Sequence, residues 1–264
     1  GWPCFGHFAG IWFLRGKRDR TKIPERLSLE KEAAVLHDRR KQFETGAEMN
    51  FSEFIFILEM IGTAAFAVSG VVVARDRKMD IFGAVVLGCA TAVGGGMVRD
   101  LILGITPPVM FRAPIYVAVA ALTSLITFVC LVRDSSIHRL LSGKPELSDA
   151  ILNTADSAGL AAFVVVGCRT AFDYGHSDNL FLCAFVGVLT GIGGGVLRDI
   201  FAGQMPLIMR KRVYGLAAII GAVVYCLFLR IGMNVLLSTV LSLADTCLIR
   251  FLAIHYRWNL PSFR

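Results

Sequence analysis

The sequence predicts an all-α integral membrane protein, with seven transmembrane helices arranged as two inverted three-helix repeats plus a seventh helix. Three observations predict it. Hydrophobic types make up 55% of the 264 residues and charged types only 18%, well below the quarter usual in soluble domains. Seven apolar stretches approach the ~20 residues needed to cross a bilayer. A glycine-rich motif recurs after 99 residues, and that spacing marks an internal repeat.

Residues 1–48 stand apart, with 10 Lys/Arg and 7 Asp/Glu. Their apolar stretch, 5–14, precedes the basic cluster, the reverse of signal-peptide order. One reading is an amphipathic interfacial helix near residues 24–42, with Leu27, Leu29, Val35 and Leu36 on its apolar side. The other is that the native chain starts at Met49 and that 1–48 is upstream sequence translated in error. The second reading is the favoured expectation.

After residue 48 the charge density falls to 30 of 216 residues. Residues 81–98, 113–132, 179–197 and 213–229 contain no Asp, Glu, Lys or Arg. Residues 54–74, 150–168 and 231–249 contain one acid each, Glu59, Asp156 and Asp245. These are the seven spans. They divide the chain into a charged extension (1–48), a first repeat (49–145), a second repeat (146–230), and a seventh helix with the C-terminus (231–264).

Loop charge sets orientation. With the first span starting outside, the inward loops hold Arg75, Arg77, Lys78, Arg133, Arg139, Lys144, Arg210, Lys211, Arg212, Arg250, Arg257 and Arg264, and the outward loops hold Arg112, Arg169 and Arg230. Twelve against three predicts a cytoplasmic C-terminus in the cell (inner) membrane. The net charge of +7 is absorbed by this topology, so nucleic acid is not expected as a partner.

The repeat organises the spans. Gly94, Gly95, Gly96, Met97, Val98, Arg99 and Asp100 recur as Gly193, Gly194, Gly195, Val196, Leu197, Arg198 and Asp199. Gly104 and Pro107 recur as Gly203 and Pro206. With a two-residue gap upstream, Glu59, Gly62, Phe66 and Gly70 meet Asp156, Gly159, Phe163 and Gly167. Three spans per copy force the second copy into the membrane upside down, as in many transporters.

Each glycine of the triplets lowers helix propensity by about 1 kcal/mol relative to alanine. Two readings follow: a discontinuous helix beside a polar path, or close helix packing, since Gly88, Ala92 and Gly96 recur four apart, as do Gly187, Gly191 and Gly195. Adjacent helical positions do not face each other. Arg99 and Asp100 are therefore expected to have separate partners, as are Arg198 and Asp199, with the two pairs at opposite mouths of any path. Gly104 and Pro107, like Gly203 and Pro206, read as helix ends. Glu59 and Asp156 are functional candidates because an intramembrane acid is expensive; they attract cations, take up protons, or pair with Arg198 or Arg99 across the repeat. Asp245 has no repeat partner and reads as structural.

No enzyme is expected, since no HExxH, GxSxG or P-loop occurs. Cys89, Cys130, Cys168, Cys183, Cys226 and Cys247 lie in apolar runs without ligand spacing, so neither a metal nor a cofactor is expected.

Two copies of GGGxxRDxxxGxxP in a seven-span chain resemble the bacterial TRIC-type family, trimeric intracellular cation channel homologues also grouped as glycine-transporter-domain proteins. The resemblance covers residues 50–250. It implies a homotrimer with one pore per subunit, kinked around Gly94, Gly95, Gly96 and Gly193, Gly194, Gly195, and permeable to monovalent cations, chiefly potassium. Relatives in animal cells have a lysine at the second-helix break; this sequence has none there. The competing expectation is a secondary transporter for glycine or another small amino acid.

Overall fold

The computed structural model describes residues 51–133, 145–210, 212–256 and 258. The readings that concern residues 1–48, and the loop charges Arg139, Lys144, Lys211, Arg257 and Arg264, lie outside them. Among the described residues, seven helices are long and apolar enough to cross a membrane: α1 (Phe51–Asp76), α2 (Ile81–Ile102), α3 (Ile115–Arg133), α4 (Pro145–Ala171), α5 (Leu180–Phe201), α6 (Arg212–Arg230) and α7 (Val235–His255). All seven predicted spans are helices, and the chain is an all-α multi-pass membrane protein.

Local chemistry sets the helix ends. Asp80 caps α2 by accepting from the Gly83 N–H at 2.7 Å, and Asn179 caps α5 by accepting from the Leu182 N–H at 3.0 Å. α2 stops where Gly104 turns to φ 70°, and α5 stops where Gly203 turns to φ 64°. The following amides fold back, Ile105 onto the Asp100 carbonyl and Gln204 onto that of Asp199. A short helical turn comes next in each copy, Val109–Arg112 and Leu207–Arg210.

The two copies meet across a pseudo-twofold axis. Phe66 and Phe163, equivalent in the repeat, stack on each other with centroids 5.4 Å apart. Gly62 packs against the Phe163 ring and Gly159 against the Phe66 ring. α2 and α5 cross at their glycine triplets. A Cβ on Gly95 would collide with the Thr190 carbonyl, and one on Gly194 with the Thr91 carbonyl. Residue numbers rise along one helix as they fall along the other, so the helices are antiparallel, as the inverted repeat demands.

The triplets do not interrupt their helices. α2 is helical from Ile81 to Ile102 and α5 from Leu180 to Phe201. The expectation of discontinuous helices is thus corrected in favour of packing. In an apolar setting the backbone groups find no partner better than their own helix. That requirement outweighs about 1 kcal/mol of propensity per glycine.

α7 packs on α4 and α6 of the second copy. Its Ser242 hydroxyl donates to the Gly221 carbonyl of α6 at 2.8 Å.

Candidate functional site

Arg99 and Arg198 each lie six residues beyond the centre of the crossing, in opposite directions. At 1.5 Å per residue they are roughly 9 Å from the centre and ~18 Å apart along the axis. Each organises a buried charge site.

Within each copy the arginine pairs with its own neighbour. Arg99 Nη2 meets Asp100 Oδ1 at 2.8 Å, and Arg198 Nε meets Asp199 Oδ1 at 2.9 Å. This corrects the expectation of separate partners: the arginine side chain is long enough to reach round the helix to the adjacent carboxylate. The second oxygen of each aspartate holds the first amide of the following short turn, Val109 at 2.8 Å and Leu207 at 2.7 Å. In both copies the aspartate therefore ties the end of a span to the start of the next segment, satisfying an amide that a helix start leaves free.

Beyond that shared frame the copies differ. In the second copy Arg198 Nη1 also reaches Asp156 Oδ1 at 2.5 Å and Ser69 Oγ at 3.1 Å, and both ion-pair side chains are 0% exposed. Asp156 thus pairs with the arginine of its own repeat, not across it. In the first copy Glu59 instead accepts from the Tyr116 hydroxyl. Two substitutions between the copies account for part of this. Ser69 of α1 corresponds to Val166 of α4, so Arg99 has no hydroxyl from the other copy. Ser157 corresponds to Met60, so the first copy has no hydroxyl at that position.

The first site is a recess of about 40 Å³ lined by Glu59, Thr63, Gly96, Arg99, Asp100 and Tyr116. That is room for a few waters or a small ion. The equivalent space in the second copy is closed. A Cβ on Gly195 would lie 3.2 Å from Tyr214 Oη, 3.4 Å from Asp156 Oδ1 and 3.5 Å from Arg198 Nη2.

Three participants escaped the sequence reading. Tyr116 and Tyr214 are repeat equivalents once a one-residue gap follows Pro107 and Pro206, which changes the offset from 99 to 98. Arg250 was assigned to an inward loop, but α7 continues to His255 and Arg250 is 2% exposed. Its guanidinium lies over the Tyr214 ring, 4.7 Å from the centroid, and its Nε donates to Ser157 Oγ at 3.0 Å. The loop count becomes eleven against three. Of the sequence candidates, Gly94, Gly95, Gly193 and Gly194 form the crossing. Gly96 and Gly195 face the two charge sites with Glu59, Arg99, Asp100 and Asp156, Arg198, Asp199. Asp245 is half-buried and its Oδ2 has no partner. Among the described residues no His/Cys/Asp/Glu group has the arrangement to hold a metal ion.

Known proteins share this architecture. The sequence profile of the family described as Glycine transporter matches residues 56–131 and 153–230, one match per repeat. The UPF0126 inner membrane protein YadS of Escherichia coli K12 is 37% identical over 210 residues, 79% of this chain and 96% of that protein. The UPF0126 membrane protein YvgT of Bacillus subtilis is 34% identical over 210 residues, again 79% and 96%. A solved structure described as "Structural basis for conductance through TRIC cation channels" superposes with a TM-score of 0.67 at 36% identity, covering 79% of this chain and 96% of that one. The TRIC trimeric intracellular cation channel orthologue from Rhodobacter sphaeroides gives 0.69 at 31%, covering 78% and 99%. The solved structures it resembles are those of cation channels, not enzymes. The chain belongs to the bacterial TRIC-type, glycine-transporter-domain family of membrane proteins.

Proposed function

We propose that this protein is a monovalent cation channel, chiefly for potassium, that works as a homotrimer with a pathway inside each subunit. The observation that carries the reading is the pair of charge sites on opposite sides of the α2–α5 crossing. The first, an accessible recess, holds two acids, Glu59 and Asp100, against one base, Arg99. An excess acid in a poorly solvated recess attracts a cation. The pathway runs past Gly96 and Gly195, on either side of the glycine crossing. The likeness to TRIC cation channels supports the same reading.

The functional units follow the repeat: 49–145, 146–230, and 231–264 as an accessory helix and C-terminus. The recess at Glu59 faces outside, the Arg198 site inside and the C-terminus the cytoplasm, a reading supported by the excess of basic residues in the loops on one side.

A second reading, a carrier for glycine or another small amino acid, is favoured by the family's description and by the inverted repeat. Planar bilayers under a potassium chloride gradient separate the two. Discrete current steps reversing near the potassium equilibrium potential establish the channel. Electrical silence, with saturable uptake of labelled glycine into liposomes from the same preparation, establishes the carrier.

A further inference from the structure

The two charge sites are equivalent by repeat but unequal in charge. The first holds Glu59 and Asp100 against Arg99. The second holds Asp156 and Asp199 against Arg198 and Arg250. The additional cation comes from α7, which lies outside the repeat and packs against α4 and α6 of the second copy. Without Arg250 the second site would have the same balance as the first, two acids to one base.

Arg250 is weakly held for a buried guanidinium. Its Nε has Ser157, and its face rests on the Tyr214 ring, but Nη2 has no partner. Arg198 Nη2 is likewise without a partner, but its Nε and Nη1 are held by two carboxylates and a hydroxyl. Beside Arg250 the carboxylate of Asp156 keeps Oδ2 unpartnered, and the Tyr214 hydroxyl faces that carboxylate without closing a well-formed hydrogen bond. Both residues are more than nine-tenths buried. Asp156 is close enough for its field to act on Arg250. A carboxylate oxygen and a phenolic oxygen, both buried without a partner near a resident cation, are ligands suited to a hard monovalent ion. In the first copy the corresponding pair, Glu59 and Tyr116, have closed on each other, and no helix outside the repeat delivers a cation to them among the described residues.

We propose that Arg250 is a tethered cation seated at the second copy's ion position, and that Asp156 and Tyr214 form a monovalent-cation site that opens when Arg250 withdraws. The inner mouth, narrowed at Gly195 by repeat residues, then also carries a blocking charge supplied by α7. The inference rests on the channel reading, with α7 as its gate.

The test compares wild-type, Arg250→Gln and Asp156→Asn/Arg250→Gln full chains. In symmetric potassium chloride, Arg250→Gln should raise open probability several-fold, and the double variant should lose that gain. In detergent, the melting temperature of Arg250→Gln should rise more with potassium chloride than that of wild type or the double variant, and should not rise with N-methyl-D-glucamine chloride. Arg250→Lys keeps the charge but loses the planar stack on Tyr214, and serves if Arg250→Gln does not fold; it should show an intermediate gain. Wild-type currents and a wild-type potassium dependence of melting in whichever of these variants fold would overturn the proposal. Wild-type protein that passes no ions would remove the channel reading instead, and the melting comparison would still decide whether the site exists.

Discussion

Asp156 and Arg198, both fully buried, meet at 2.5 Å inside the second repeat, while their equivalents Glu59 and Arg99 are not paired with each other. Glu59 is engaged by Tyr116, and Arg99 by Asp100. One sequence pattern therefore supports two arrangements, one sealed and one bordering a recess. The difference predicts unequal responses to the same substitution.

Asp156→Asn should destabilise the protein by about 3–5 kcal/mol, because it leaves the Arg198 charge buried without its closest partner. Asp156→Asn/Arg198→Met should recover much of that loss, since neither charge is then buried alone. Thermal unfolding of the purified variants in detergent checks both expectations.

Glu59→Gln should cost about 1 kcal/mol or less, because an amide oxygen still accepts from Tyr116. It should nevertheless cut potassium flux several-fold, since it removes the excess negative charge from the recess. Flux into potassium-loaded liposomes, normalised to folded protein, separates this from a purely structural role. A stability loss with unchanged flux would assign Glu59 to structure.

The glycines of one triplet should differ sharply. Gly95→Ala brings a methyl group onto the Thr190 carbonyl, and backbone in a crossing helix cannot rotate away as a side chain can. A loss of about 1–3 kcal/mol is expected, typical of overpacking. At Gly96 the nearest atom to an added Cβ is Arg99 Nη2, at 3.8 Å. Gly96→Ala should therefore be tolerated, with a gain of up to about 1 kcal/mol from helix propensity. Thermal melting of the two variants side by side is the measurement.

Orientation is tested by reporters fused after Arg264. A cytoplasmic C-terminus makes a green fluorescent protein fusion bright and an alkaline phosphatase fusion inactive. The opposite pattern would invert the assignment of the two mouths.

Most of the fold was legible because the bilayer demands long apolar runs and the repeat demands inversion. The helix ends at Gly104 and Gly203 were legible for a local reason, a residue able to take positive φ where the chain must turn. What escaped depends on distant contacts. Helix propensity argues for a break at Gly94, Gly95 and Gly96, but the opposing Gly194 and Thr190 backbones reward a continuous helix there. Arg250 reads as a loop charge because its partners, Tyr214 and Ser157, lie on other helices. Tyr116 and Tyr214 were concealed by a single-residue gap in a loop. The charge sites were found through their acids and arginines, and the pairing within them was not.

The α2–α5 crossing also bears on how the protein is made. α2 leaves the ribosome with a bare strip at Gly94 and Gly95, and the strip that covers it, around Gly194, is encoded 99 residues later. At about 5–20 residues per second, the first helix waits roughly 5–20 s for its mate. Over that interval lipid tails or the insertion machinery must occupy the groove, and assembly of the subunit is completed only when the second half of the nascent chain arrives to displace them.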